Sequence, residues 1–98
     1  MTELRFEWDR GKAAENKRKH GVSFEEAETT FADDFAVLID DPGHSGKEDR
    51  FLLLGLSSRL RTLVVSHCYR KENDVIRVIS ARKATRKERD LYNRRWRT

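Results

Sequence analysis

Little in this sequence could cross-link the chain or carry it into a membrane. Cys68 is the only cysteine, which excludes an internal disulfide and favours a reducing compartment such as the cytoplasm. No stretch approaches the roughly 20 apolar residues of a membrane-spanning helix, and residues 1–10 lack the apolar segment of a secretion signal. The only proline lies in residues 40–49, a predicted surface loop. We therefore expect a single cytoplasmic domain over residues 1–98.

Charge is abundant but unevenly distributed. Charged residues make up 39% of the chain and hydrophobic residues 37%, so the core must come from a few concentrated apolar runs. Residues 82–98 contain eight basic and two acidic side chains, a net charge of +6. Residues 1–81 contain 13 basic and 15 acidic side chains, a net charge of −2. The basic C-terminal segment indicates an anionic partner.

The hydrophobic pattern predicts an α+β fold with the element order β-α-α-β-β-β-β-α. Apolar runs predict strands at residues 4–8, 35–39, 50–56, 62–69 and 75–81. Helices are predicted over residues 9–20 and 23–31 and from residue 85 onward. Because the connections between the last four strands are too short for crossover helices, we expect a four-stranded antiparallel meander after the N-terminal strand and two helices.

Local signals define the ends of the predicted helices. Gly21 follows the first helix at the position where a residue with positive φ commonly ends a helix. Ser23 with Glu26, and Thr85 with Glu88, form the S/T-x-x-E pattern of a capping box. Glu88 is therefore interpreted as a helix cap rather than as a general base.

The last two predicted strands form a hairpin whose register decides which side chains share a face. The even-numbered residues of 62–68 and of 76–80 carry no charge, so we expect both sets to point inward. His67 and Arg77 then lie on the same outer face, directly opposite each other if residues 70–74 form a five-residue loop. A two-residue turn at residues 72–73 would instead place His67 opposite Val78. The five-residue loop is the preferred prediction.

Three segments resemble BrnT-type toxins. They are FEWD…KAAENKRKHGVSFEEA in residues 6–27, the run 49–59, and IRVISARKATRKERDLY in residues 76–92. The resemblance implies a RelE-like fold and a ribonuclease toxin of a type II toxin–antitoxin pair, which cleaves RNA without a metal and arrests translation. It also implies a BrnA-like ribbon-helix-helix antitoxin as partner, with operator DNA bound only through the antitoxin complex.

RNA cleavage without a metal requires a base for the 2′-hydroxyl, cations for the charged phosphorane and an acid for the leaving oxygen. His67 is the acid–base candidate because imidazole titrates near neutral pH, and Arg77 and Arg82 are candidates for stabilising the charge. The further RNA-binding candidates are Arg70, Lys83, Arg86 and Tyr92. Structural alternatives remain: His67 could pack within the sheet, Arg77 could pair with an acidic side chain, and Tyr92 could pack in the core.

The sequence indicates no metal or other cofactor. Its His, Cys and carboxylate positions match no zinc or EF-hand spacing, and it contains no glycine-rich nucleotide-binding motif. One alternative class stays open, a non-catalytic module that binds nucleic acid or an antitoxin through the basic C-terminal segment. The expected partners are RNA and an antitoxin, with no role for a membrane.

Overall fold

The computed structural model describes residues 4–41, 50–70 and 74–94. The strands are β1 (Arg5–Glu7), β2 (Val37–Asp40), β3 (Phe51–Leu56), β4 (Thr62–Arg70) and β5 (Val75–Lys83). The helices are α1 (Arg10–His20), α2 (Phe24–Thr29), which a 3₁₀ turn (Thr30–Ala32) follows, and α3 (Arg86–Arg94). The α+β class and the element order agree with the prediction, while most of the loop predicted at residues 40–49 lies outside the described residues. Within the described ranges, no helix is long and apolar enough to cross a membrane.

The strands form one mixed sheet in the order β1-β5-β4-β3-β2. Strands β2 to β5 are antiparallel neighbours in chain order. Strand β1, however, pairs in parallel with β5, so that Phe6 lies opposite Ile76 and Glu7 opposite Arg77. The predicted four-stranded antiparallel meander is therefore wrong as a description of the sheet, which has five strands and mixed directions. The short connections constrain only β2 to β5, whereas two helices and three strands separate β1 from its partner.

Both faces of the sheet are covered, at least in part. One face, called here the α1/α2 face, packs against α1 and α2. Its buried cluster consists of Val22, Phe24, Ala27, Leu53, Leu63, Val65, Val78 and Ala81. On the opposite face, called the α3 face, the buried cluster consists of Leu54, Val64, Ala84 and Tyr92. Strand β4 is consequently buried on both sides from Leu63 to Cys68, and the absence of charge on one side does not identify the inner face.

Two of the predicted helix ends are confirmed in detail. Gly21 has a φ of 69°, and its N–H donates a 2.8 Å hydrogen bond to the carbonyl oxygen of Lys17. At the start of α3, the Glu88 carboxylate accepts from the N–H of Thr85 at 2.8 Å. The Thr85 hydroxyl accepts in return from the N–H of Glu88 at 3.2 Å. These two bonds complete a capping box, so Glu88 has the structural role predicted for it.

The capping pattern at the start of α2 is only half formed. The Ser23 hydroxyl accepts a 3.0 Å hydrogen bond from the N–H of Glu26, as predicted. The Glu26 carboxylate does not return the bond. It accepts instead from Nε of Arg61 at 2.9 Å and from the hydroxyl of Ser57 at 2.7 Å. Glu26 therefore joins α2 to the β3–β4 connection.

Candidate functional site

The β4–β5 hairpin has a register that differs from the preferred prediction. Cys68 pairs with Arg77, and His67 pairs with Val78. This is the register that a two-residue turn at residues 72–73 predicts, although residues 71–73 themselves lie outside the described part of the chain. Because paired residues on neighbouring strands point to the same face, His67 and Arg77 lie on opposite faces of the sheet. The predicted pairing of His67 with Arg77 is therefore wrong.

His67 is enclosed in the core of the α1/α2 face. The residue is 0% exposed, and its ring lies edge-on to that of Phe31, with the centroids 4.8 Å apart. Its Nδ1 lies 3.1 Å from the carbonyl oxygen of Val65, and its Nε2 lies 3.3 Å from the hydroxyl of Tyr69. Burial lowers the pKa of His67, and the hydrogen bond with Val65 opposes this shift without cancelling it. The predicted outer-face position of His67 is wrong, and its surroundings match the packing alternative.

Arg77 contacts a carboxylate that the sequence analysis missed. Nη1 of Arg77 donates a 2.8 Å hydrogen bond to Oε2 of Glu7, and Nε of Arg70 lies 3.4 Å from the same oxygen. All three side chains lie on the α3 face, and those of Arg77, Glu7 and Arg70 are 33%, 32% and 46% exposed. The alternation in residues 4–8 could have shown that Glu7 points away from Phe6. Only the parallel pairing of β1 with β5, however, brings Glu7 to Arg77.

Arg82 lies further along β5 on the same face, where it pairs with Val64. Nη1 and Nη2 of Arg82 donate to the two carboxylate oxygens of Glu88 at 2.8 and 2.9 Å. Chiefly through this pairing, and against the effect of burial, the pKa of Glu88 is lowered to about 2. Arg82 thus joins the end of β5 to the first turn of α3, and its side chain is still 40% exposed.

The remaining RNA-binding candidates fall into two groups. Lys83 at the end of β5 and Arg86 at the start of α3 are exposed and lie close to Arg82 in the chain. Tyr92 is only 3% exposed, and its hydroxyl donates a 2.6 Å hydrogen bond to Oδ2 of Asp33. The structure therefore supports packing for Tyr92.

The polar chemistry of the α3 face includes three arginines and two glutamates, arranged as two ion-paired groups. Among residues 4–41, 50–70 and 74–94, no three His, Cys, Asp or Glu side chains lie close enough together to hold a metal ion. Cys68 points to the same face as Arg77 but is 2% exposed. The accessible groups are the guanidinium groups of Arg70, Arg77 and Arg82, which are called here the arginine row. Partly exposed guanidinium groups on one face are suited to binding phosphates.

Most of the chain matches a known family. Residues 8–88 match the family described as the ribonuclease toxin, BrnT, of type II toxin–antitoxin systems. The protein is therefore a ribonuclease toxin of a type II toxin–antitoxin system. It belongs to the BrnT family, which confirms the resemblance seen in its sequence and implies an RNA target and an antitoxin partner.

The fold is also similar to a solved structure. The 1.1 Å crystal structure of the Brucella abortus ribonuclease toxin BrnT superimposes on this fold with a TM-score of 0.64, and the two sequences are 24% identical. The alignment covers 86% of this chain and 100% of that one. No curated protein matches the chain. At this identity the likeness supports the fold alone, and the finer RelE-like assignment stays a prediction.

Proposed function

We propose that the chain is a metal-independent endoribonuclease that cleaves RNA on the α3 face of its sheet and thereby inhibits translation. The observation that carries the proposal is the placement of Arg70, Arg77 and Arg82 on one face, each between 33% and 46% exposed. Ribonuclease activity follows from the family. The location of the site, the mechanism without a metal and the inhibition of translation are what the proposal adds.

Arginine side chains suit this chemistry because a guanidinium group donates two parallel hydrogen bonds to a phosphate and keeps its charge at neutral pH. During cleavage the phosphorane carries additional negative charge, and preorganised cations beside it lower the barrier. In the proposed site Arg77 and Arg82 supply this stabilisation, which a metal ion would otherwise supply. Arg70 lies beside Arg77 and binds the RNA backbone.

The ion pairs orient the arginines without neutralising all of them. Glu7 and Glu88 face three arginines, so the group as a whole keeps a positive charge. A phosphate oxygen can replace a carboxylate oxygen as the acceptor, because both are anionic and accept the same guanidinium bonds. Arg86 extends the exposed positive charge and is proposed to contact the flanking phosphates. Lys83 pairs with Leu63 and therefore points to the α1/α2 face, so it is not part of this proposed surface.

The proposed partner is a BrnA-like antitoxin with a ribbon-helix-helix part, which covers the α3 face and binds operator DNA in the complex. Family membership supports a protein partner of the type II class. Charge complementarity supports the location, because an acidic antitoxin segment can pair with the same arginines that bind RNA. Both partners meet the toxin in the cytoplasm under this proposal. Adding the antitoxin should abolish cleavage, and a complex that still cleaves RNA would count against it.

Purified protein incubated with total RNA tests the proposed activity. Cleavage should continue in EDTA and leave 2′,3′-cyclic phosphate ends. Arg77→Ala and Arg82→Ala should each lower the cleavage rate about 100-fold. The matched control is Arg18→Ala, which removes an exposed arginine of α1 that pairs with Glu15, and its rate should stay within about threefold of wild type.

Three results would contradict the proposal. Loss of cleavage in EDTA would show that a metal is required. Full activity in both folded arginine variants would show that the site lies elsewhere. RNA binding without cleavage by the wild-type protein, falling steeply with salt, would instead support the non-catalytic binding module.

A further inference from the structure

We infer that Glu7 is the general base of this ribonuclease, taking the proton from the 2′-hydroxyl that attacks the phosphate held by Arg77 and Arg70. The inference rests on the proposed metal-independent cleavage on the α3 face. It assigns a catalytic role to a carboxylate at the edge of the sheet, in place of the buried His67.

The two oxygens of Glu7 differ in their surroundings. Oε2 accepts from Nη1 of Arg77 at 2.8 Å and lies 3.4 Å from Nε of Arg70. Within the described residues, Oε1 accepts no hydrogen bond, so its lone pairs are open. One oxygen is therefore held by the cations that would bind the phosphate, and the other is available to accept a proton beside them.

The backbone that carries Glu7 is well anchored. Strand β1 pairs with β5 over residues 5–7, which sets Glu7 opposite Arg77. On the other face of β1, Phe6 packs edge-on against Phe31, with the ring centroids 5.2 Å apart. The Glu7 side chain is 32% exposed, so a ribose can reach it. A base on a fixed strand, next to the phosphate-binding group, meets the geometric requirement for proton abstraction.

Three other carboxylates of the described residues are held by other partners. Both oxygens of Glu88 accept from Arg82, one of them also caps α3, and its pKa of about 2 makes it a poor base. Asp33 accepts hydrogen bonds from the Tyr92 hydroxyl and from two backbone N–H groups. Glu26 is bonded by Arg61 and Ser57 and is nearly buried. Of these four carboxylates, Glu7 is the one that has an open oxygen beside Arg77 and Arg70.

The proton and bond changes balance without a further reactant except water. Glu7 Oε1 takes the proton of the 2′-hydroxyl as the 2′-oxygen forms its bond to phosphorus. The bond between phosphorus and the 5′-oxygen breaks, and that oxygen takes a proton from water. The products are a 2′,3′-cyclic phosphate and a 5′-hydroxyl. The partly exposed Glu7 then returns its proton to solvent.

The test is Glu7→Gln, which keeps the shape of the side chain and an oxygen for the arginines but removes the basic carboxylate. The cleavage rate at saturating RNA should fall about 100-fold or more. Binding of a non-cleavable 2′-deoxy substrate should stay equal or become tighter, because a negative charge beside the phosphate is removed. The acidic limb of the wild-type pH–rate profile should disappear in the variant.

The matched control is Glu15→Gln, which neutralises an exposed carboxylate of α1 that pairs with Arg18. Its rate and pH profile should match those of the wild type. Glu7→Asp gives a second variant that retains the carboxylate, and it should recover part of the rate together with the acidic limb. Circular dichroism of each variant establishes that it is folded.

Two outcomes would overturn the role of Glu7. One is a folded Glu7→Gln variant that cleaves within about threefold of the wild-type rate. The other is a parallel loss of binding and cleavage with an unchanged pH profile, which would make Glu7 a positioning residue for the arginines. Either result leaves the proposed function intact if the wild type cleaves RNA in EDTA, whereas a wild type that does not cleave in EDTA contradicts the proposed function itself.

Discussion

The Asn16 side chain bonds both backbone groups of Ala81. Its Oδ1 accepts from the N–H of Ala81 at 3.1 Å, and its Nδ2 donates to the carbonyl oxygen of Ala81 at 2.8 Å. The second Nδ2 hydrogen bond goes to the carbonyl oxygen of Val22 at 2.9 Å. Because β1 pairs with β5 only at residues 75–77, Asn16 takes the place of a neighbouring strand further along the same edge.

We expect Asn16→Ala to lower the free energy of unfolding by about 2–4 kcal/mol, because it leaves buried backbone groups of Ala81 and Val22 without partners. Urea denaturation followed by circular dichroism measures the change. The matched control is Lys17→Ala, an exposed neighbour on the same helix, which should change the value by no more than about 0.5 kcal/mol. Equal stability of the two variants would show that the strand edge tolerates the loss.

Removing one partner of the ion pair between Glu26 and Arg61 should be costly because Glu26 is buried. The Glu26 side chain is 4% exposed, and Arg61 is 27% exposed. The hydrogen bond from Arg61 is the main reason that the pKa of Glu26 is lowered, with burial acting against it. Arg61→Met should therefore cost about 3 kcal/mol, because it removes the cation that is hydrogen-bonded to a buried carboxylate. The exposed Arg59, 4.0 Å from the same carboxylate, replaces it only in part.

Adding Glu26→Gln to Arg61→Met should recover part of that loss, since the double variant no longer buries a charge. A useful comparison is Arg18→Ala, because the Arg18–Glu15 pair is exposed and should be worth no more than about 0.5 kcal/mol. Similar costs for Arg61→Met and Arg18→Ala in chemical denaturation would argue against the importance of burial.

The sequence predicted features that depend on residues close together in the chain. The positive φ of Gly21 and the capping box of Thr85 with Glu88 require only a few neighbouring residues. The Ser23 cap also formed, but the carboxylate of Glu26 bonds Arg61, which lies 35 residues away. A capping pattern identifies a helix start reliably, yet it cannot exclude a distant partner for one of its side chains.

The candidate site is formed by contacts between residues far apart in the chain, and the sequence pattern does not predict such contacts. Glu7 and Arg77 are 70 residues apart, and they meet only because β1 joins the free edge of β5 in parallel. Which faces of the sheet His67 and Arg77 occupy depends on the register of the hairpin. A slip of one residue moves every side chain of a strand to the other face. Burial of β4 on both sides removed the remaining signal for its orientation. Arg77 and Arg82 were nevertheless identified as candidates, and they lie on one face.

Acid should weaken the protein partly through Glu88. The pKa of Glu88 is about 2 in the folded protein, below the ordinary glutamate value of 4.5. The ionised carboxylate therefore contributes its full stabilisation above pH 4.5, and this contribution is lost as the pH falls toward 2. Glu88→Gln should remove about 1 kcal/mol at pH 7, allowing for solvent screening, and should flatten the stability profile in that window. Urea denaturation across the pH range measures both effects. Asp90→Asn, at an exposed acid of the same helix, should keep the wild-type profile.

Substitutions of His67 can distinguish a packing role in the core from a catalytic role as an acid or base. The pKa of His67 is lowered from 6.5 by burial, so an unfolded chain takes up a proton below pH 6.5 that the folded chain does not, and stability falls as the pH decreases. His67→Phe removes this titration and keeps an aromatic ring beside Phe31 and Tyr69. The variant should lose the decrease in stability just below pH 6.5, a window distinct from that of Glu88.

The same His67→Phe variant should cleave RNA within about threefold of the wild-type rate, because the residue is 0% exposed and lies on the face opposite Arg77. His67→Ala provides the packing control, since truncating a buried ring should cost about 3 kcal/mol. A folded His67→Phe variant whose cleavage rate falls about 100-fold would restore the catalytic role predicted from the sequence. It would also require the α1/α2 face to open during turnover, since the closed core gives RNA no path to the imidazole.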